Sequence, residues 1–212
     1  MDCEEARERI VREQLEARDV RDPRVLGAMR RVPRDAFLPD VPAELAYGDY
    51  PQPIGEDQTI SQPLMVALMT EALELWGDEK VLEIGTGCGY QTAILAELCA
   101  SVVSIERHAS LADRARRTLE ALGYRNVSVH AGDGTLGWPK EAPFQRILIT
   151  AGAPRVPQPL LEQLDEGGVL VAPVGDRITQ ELVAVHKGAG GSLRCVHHGA
   201  CTFVPLVGRE GW

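Results

Sequence analysis

The sequence predicts an α/β fold: a mainly parallel sheet with helices on both faces, an N-terminal helical extension and a β-rich C-terminal edge. Three observations carry this. From about residue 62, short β-branched runs alternate with helical stretches, as in successive βαβ crossovers. The segment VLEIGTGCGYQTAILA (81–96) reads as strand, glycine-rich turn and helix. The two ends differ from the middle, polar and proline-punctuated up to about residue 60, β-rich without a convincing helix after 176. One domain of 212 residues follows, with a helical and loop cover over 1–60, a core over 61–175 and edge strands over 176–212.

Taken in order, EEARERIVREQLEAR has helical spacing at Ile10, Val11 and Leu15. DPRVLGAMRRV is a second helix with Pro23 in its first turn. Pro33, Pro39, Pro42, Pro51 and Pro53 then forbid long regular elements. Gln62 to Trp76 is apolar almost all round, which predicts a buried helix. KVLEI is a strand, YQTAILAELC a helix, SVVSIE a strand, and SLADRARRTLEALG a helix stopped by Gly123. NVSVH and FQRILIT are strands, PQPLLEQL a helix and EGGVLVAPV a strand. QELVAVHK and CTFVPLV are predicted to pair like a hairpin at the sheet edge.

The formal net charge is −9. That argues against a large nucleic-acid footprint, and the acidity serves solubility. The five cysteines, Cys3, Cys88, Cys99, Cys195 and Cys201, form no CxxC pair and no zinc-spaced cluster with histidine. They read as free thiols in a reducing cytosol, with no metal. MDCEEARERIVREQ is charged from its second residue, so no signal peptide is expected, and the apolar run Leu64–Met69 is too short to span a bilayer. A cytoplasmic monomer is the expectation.

The glycine turn lets a ligand approach the backbone at a helix N-terminus. The dinucleotide fingerprint needs glycines at positions 1, 3 and 6. Here Gly85, Gly87 and Gly89 fall at 1, 3 and 5, and Tyr90 takes the sixth. A Walker A loop is absent. Glu83 before the turn suits a ligand bearing an ammonium and a sulfonium better than one bearing pyrophosphate. Glu106, ending the second strand, can accept from both ribose hydroxyls. Asp133, after the third strand, can accept from an adenine amine, with the Gly134 backbone beside it. Each acid alone has a plainer reading: a capping carboxylate, a solvated strand end and a turn-forming Asp. Together, in this order, they favour a cofactor site. Acid-x-Gly-x-Gly-x-Gly is similar to motif I of the S-adenosylmethionine-dependent methyltransferases. Cys88 in the turn reads as a packing residue rather than a nucleophile.

The segments AYGDYPQPIGEDQTISQPLMVALM, GDGTLGW, ITAGAP, VPQPLLEQLDEGGVLVAPVG and FVPLVGREGW, with the glycine turn, resemble the protein-L-isoaspartate O-methyltransferase family over nearly the whole chain. QTISQP and FVPL are its most specific parts. The resemblance implies a Rossmann-like methyltransferase sheet with an altered order of its last strands, and N-terminal helices covering the site. It implies S-adenosyl-L-methionine as cofactor, S-adenosyl-L-homocysteine as product, and isoaspartyl proteins and peptides as substrates. The reaction methylates the free α-carboxyl of L-isoaspartyl residues. The ester then cyclises to a succinimide, which opens partly to normal Asp.

The family's active-site serine falls on Ser61, with Thr59 beside it. Its cofactor contacts fall on Gln58, Thr59, Ser61 and Val66 before the turn, and on Glu83, Gly85, Thr86, Gly87 and Gly89 around it. Glu106, Arg107, Asp133 and Gly134 follow, with Val207 and Trp212 from the tail. Ile54, Ser61, Ala151 and Gly152 are the substrate candidates, the small residues of ITAGAP leaving room for a peptide backbone. This chain departs from the family at Asp57, usually glycine, Cys88, usually serine, and Leu64, usually aromatic. A carboxylate at 57 would repel an anionic substrate unless it points away.

The chemistry asks little of side chains. A carboxylate nucleophile is ionised at neutral pH and a sulfonium donor is already activated, so no triad or metal is expected. The protein must supply alignment and exclude water. Ser61 and Thr59 could position the carboxylate; alternatively, Ser61 caps the helix beginning near Gln62. His108 reads as an exposed helix start, and His197 and His198 as an exposed pair near the tail strands. Two other readings stand beside this one: a methyltransferase of a small molecule or nucleic acid, and a cofactor-binding module without catalysis. TAGAP stands where nucleic-acid amino-methylating enzymes carry an Asn/Asp-Pro-Pro-aromatic motif.

Overall fold

In the computed structural model, which describes residues 3–212, helix α1 (Cys3–Ile10) runs into a wide π turn at Val11–Leu15 and a 3-10 turn at Glu16–Arg18. Met1 and Asp2, where the charged N-terminus begins, lie outside the described residues. The predicted stripe of Ile10, Val11 and Leu15 is buried, although the helix changes its winding to bury it. Helix α2 (Pro23–Arg31) begins as its sequence signals: Asp22 accepts the Arg24 N–H at 2.8 Å and Pro23 takes the first turn. The proline-rich stretch holds a 3-10 turn (Arg34–Phe37) and one short helix, α3 (Ala43–Ala46).

The following loop is more regular than predicted. Strands β1 (Gln52–Gly55) and β2 (Gln58–Ile60) pair antiparallel. Their connection holds Glu56 at φ 52° and Asp57 at φ 56°, the left-handed pair that tight hairpin turns require. A left-handed backbone at position 57 accounts for a preference for glycine there. A non-glycine residue there bears a left-handed cost of about 1–2 kcal/mol, which short Asp tolerates better than most.

Helix α4 (Pro63–Ala72) is shorter than the predicted Gln62–Trp76. Glu74, at φ 53°, carries the chain out of helical geometry. Trp76, expected in the core, is therefore 76% exposed, with Arg24 stacked on its ring at 5.0 Å. The alternation then unfolds nearly as read: β3 (Lys80–Ile84), α5 (Tyr90–Ala96), β4 (Ser101–Glu106), α6 (Ala109–Ala121), β5 (Val127–Ala131), β6 (Phe144–Ile149), α7 (Gln158–Gln163), β7 (Leu164–Gly175), β8 (Gln180–Lys187) and β9 (Leu193–Cys201).

One seven-stranded sheet has the order β5-β4-β3-β6-β7-β8-β9. Strands β3 to β7 run parallel, while β8 and β9 are antiparallel additions. The order reverses between β3 and β6, so a crevice opens at the carboxyl ends of β3, β4 and β6. The edge hairpin is β8 with β9, not β8 with CTFVPLV as predicted. Residues 202–207 leave the sheet: Pro205 lacks a donor and bridges to Gly152, while the Leu206 N–H donates to the Gly152 carbonyl at 2.8 Å. The tail thereby crosses the carboxyl edge. The N-terminal cover packs on helices α5 and α6, Ile10, Leu15, Met29 and Phe37 forming one cluster with Tyr90, Ile94 and Leu111. Among the described residues no helix is long and apolar enough to cross a membrane.

Candidate active site

The crevice at the sheet switch point is a cleft open to solvent at its mouth. Gln58 and Thr59 of the hairpin, Gly85 and Gly87 of the turn, and Glu106, Arg107 and His108 after β4 line it, together with Gly134, Thr150, Ala151 and tail residues Val204 to Val207. Sequence positions spread over the whole chain thus meet at one edge.

The turn after β3 is built on Gly85, at φ 99°, a backbone only glycine adopts without strain. Its N–H donates to the Ile105 carbonyl at 2.8 Å, and Thr150 Oγ1 donates to the Ile84 and Gly85 carbonyls at 2.9 and 2.7 Å. Glu106 is 5% exposed; its Oε2 accepts the Gly87 N–H at 2.8 Å and its Oε1 the His108 N–H at 2.9 Å. The carboxylate is held from behind, and each oxygen keeps a further lone pair for the cleft. Gly134 is needed for close approach, since a Cβ there would lie 2.5 Å from Ile84 Cγ2.

The other two acids sit differently from Glu106. Asp133 does not line the cleft; its Oδ1 accepts from the Thr135 N–H and hydroxyl, and its Oδ2 accepts the Arg209 N–H at 3.0 Å. Burial opposes its charge, but the bonds from Thr135 and Arg209 prevail and hold the carboxyl below its ordinary range. It shapes the turn and fastens the tail. Glu83 lies beneath the glycine turn with 0% exposure, its Oε2 accepting from the Thr92 and Ser104 hydroxyls at 2.5 and 2.6 Å. Ser104 is in turn 2.6 Å from the Thr86 hydroxyl, so the buried acid braces the turn rather than facing the cleft.

Burial pushes the Glu83 carboxyl from an ordinary 4.5 up to about 7, against the lowering by the two hydroxyls. A carboxyl raised in the folded state contributes stability that is fully present below pH 4.5 and is lost as pH rises through 7. Glu83→Gln should remove that slope. Urea unfolding is expected to show it matching the wild type at pH 4 and exceeding it at pH 8 by an amount on the order of 1–3 kcal/mol. Parallel pH profiles for the two proteins would refute this.

A narrower extension of the cleft is lined by Thr59, Ile60, Ser61, Val66, Thr86, Gly87, Cys88, Tyr90, Gln91 and Thr150. A third groove opens on Thr59, Ser61, Gln62, Thr150, Phe203 and Val204. Thr59 and Thr150 border all three. Ser61 does not cap α4: Gln62 is the N-cap and makes no side-chain capping bond. Among the described residues neither the Ser61 nor the Thr59 hydroxyl has a hydrogen-bond partner. Cys88 is buried, its thiol pushed up by burial, in keeping with a packing role. The hairpin tip is fastened over the cleft by Glu56, which accepts from Ser110 Oγ at 2.5 Å and lies 3.7 Å from His108 Nδ1.

Four other predicted positions stand behind the walls. The Ile54 carbonyl accepts from the Arg114 guanidinium, and its side chain backs Gly87. Gly89 packs against Ala115 and Leu119. Gly152 exchanges bonds with the tail, and Trp212 locks that tail by donating from its indole to the Gly152 carbonyl at 3.1 Å. Thr150, Tyr90 and Gln91 were missed as wall residues. Thr150 lay inside the quoted ITAGAP and is its one hydroxyl, but nothing local showed that it would fasten the glycine turn.

A protein-family model described as protein-L-isoaspartate(D-aspartate) O-methyltransferase matches residues 5–211. A protein-L-isoaspartate O-methyltransferase of Syntrophobacter fumaroxidans is 58% identical over 209 residues, covering 99% of this chain and 97% of the relative. Another, of Syntrophus aciditrophicus, is 57% identical, covering 96% and 94%. Among solved structures, a protein-L-isoaspartate O-methyltransferase superposes with TM-score 0.87 at 30% identity, covering 97% of this chain and 67% of that one. A Plasmodium falciparum structure of that description, in complex with S-adenosyl-L-homocysteine, gives 0.82 at 21% identity over 98% and 99% and supports the fold. By the family match and these relatives, the chain belongs to the protein-L-isoaspartate O-methyltransferase family.

Proposed function

We propose that this chain methylates the free α-carboxyl of L-isoaspartyl residues in damaged proteins and peptides, with Ser61 and Thr59 holding the acceptor. Family membership makes it an S-adenosylmethionine-dependent methyltransferase that initiates isoaspartyl repair. The residues present fit that cofactor. Glu106 turns a fixed carboxylate toward the cleft for ribose hydroxyls, and Gly85, Gly87 and Gly134 keep the backbone open to a ligand. When bound, S-adenosylmethionine supplies a methyl group on a positively charged sulfur.

The observation that carries the acceptor assignment is the pair of unbonded hydroxyls, Thr59 and Ser61, bordering the narrow extension beside the glycine turn. Thr59 is exposed and Ser61 half-buried, so both hydroxyls are free to donate to a carboxylate that enters the cleft. Each would donate one charge-assisted bond, fixing which carboxylate oxygen faces the methyl donor. The hairpin and the crossing tail border the cleft from two sides and restrict water. On this reading the whole chain is one catalytic domain, works as a cytoplasmic monomer and takes no nucleic-acid partner.

Radiolabelled methyl transfer to an isoaspartyl peptide and to its normal Asp twin tests the activity: label is expected on the first alone, and label on both equally or on neither would refute it. Ser61→Ala is expected to lower kcat/KM for the isoaspartyl peptide about tenfold or more, the worth of one hydrogen bond to a charged group. S-adenosylhomocysteine affinity should stay unchanged. Unaltered kcat/KM would remove Ser61 from the positioning role.

A further inference from the structure

A fully buried cation stands behind the narrow extension of the cleft. Arg34, in the turn after α2, has 0% exposure. Its Nε donates to the Ala46 carbonyl at 2.8 Å, and its Nη2 donates to the Ser61 carbonyl at 2.8 Å. The guanidinium lies over the Tyr90 ring, 4.9 Å from its centroid. Nη1, also buried, has no partner. Among the described residues no carboxylate lies within ion-pair distance; the titratable groups that act on Arg34 are the phenols of Tyr90 and Tyr47 and the Cys88 thiol. By contrast Arg146, 9% exposed, has Glu79 at 3.6 Å.

Arginine keeps its proton in proteins, and an uncompensated buried charge is costly. Ser61, Cys88 and Tyr90, which surround Arg34, also line the narrow extension. The chain carries a net −9, and Glu106 faces the adjoining cleft. An anionic acceptor would otherwise enter a repulsive field.

We propose that Arg34 is the positive charge against which the acceptor carboxylate binds, acting from behind the wall while it fixes Ser61 in place. This deepens the proposed isoaspartyl reading and rests on it. Methyl transfer joins a carboxylate oxygen to the methyl carbon and breaks the carbon–sulfur bond, whose electron pair stays on sulfur. Ester and thioether are both neutral, so the attraction to Arg34 ends with the reaction and product release is favoured. Arg34 is a positioning residue whose effect falls on acceptor binding.

The test is calorimetric titration, with S-adenosylhomocysteine present, of two peptides that differ only at the isoaspartyl residue: one with its free α-carboxylate, one with that group as the carboxamide. The wild type should prefer the acid about tenfold or more. Arg34→Met should bring the ratio close to one, and Arg34→Lys should keep part of it. A structural role would weaken both peptides alike and leave the ratio standing. Binding stoichiometry reports the folded fraction, so partial unfolding does not mask the ratio. Equal binding of both peptides by the wild type overturns the proposal even if neither variant folds; so does an unchanged ratio in Arg34→Met. A wild type that methylates no isoaspartyl peptide sinks the functional reading and this inference together, whereas methylation with an unchanged ratio sinks this inference alone.

Discussion

Glu106→Ala is expected to weaken S-adenosylhomocysteine binding about a hundredfold or more, because hydrogen bonds to a charged group are worth about 1.5–3 kcal/mol each. Glu106 is the one of the three acids that faces the cleft, and the Gly87 and His108 amides hold it there at 2.8 and 2.9 Å. The substitution removes the acceptor proposed for the ribose hydroxyls and leaves two backbone donors unpaired at the cleft wall. Glu106→Gln keeps the shape and one acceptor, so its loss should be smaller. Calorimetric titration measures both. Affinity equal to the wild type in Glu106→Ala would sink the assignment of the ribose position to this residue.

Gly85→Ala is expected to destabilise the fold by about 3 kcal/mol and to abolish measurable cofactor binding. Backbone strain at φ 99° contributes about 1–3 kcal/mol for a residue with a Cβ. That Cβ would also lie 2.3 Å from Thr150 Oγ1. Thr150 must then turn away, giving up the bond that its single O–H shares between the Ile84 and Gly85 carbonyls, worth about 1 kcal/mol. Urea unfolding gives the stability change, and cofactor titration of the folded fraction gives the second effect. A variant as stable as the wild type would show that the turn relaxes freely. Thr150→Ala, which makes room for the Cβ, should recover part of the stability only if the collision is real.

Of the three acids read from the sequence, only Glu106 lines the cleft. Its place at a strand's carboxyl end is a matter of period and length, which sequence displays. Glu83 and Asp133 have the same charge and similar spacing, yet one braces the turn from below and the other fastens the tail. Which way a carboxylate turns depends on hydroxyls and amides brought in from other elements: Ser104 from the neighbouring strand, Arg209 from the C-terminus. The same holds for Asp57. Its departure from glycine looked like a question of charge, and the hairpin makes it one of left-handed backbone.

The α/β class, the order of elements from residue 62 to 187 and the glycine turn at the switch point are all legible along the chain. Hydrophobic period, caps and turn residues are local, and the chain writes them in consecutive positions. It also carried the family, because QTISQP and FVPL are short, specific segments. It took the folded chain to show that FVPL leaves the sheet to wall the cleft, that Trp76 falls outside a shortened helix, and that Ser61 is free of capping. The fold also places Arg34, with no carboxylate partner among the described residues, behind Ser61. Each of these depends on contacts between residues far apart in the chain, where burial and the competition for hydrogen-bond partners, not local propensity, set the outcome.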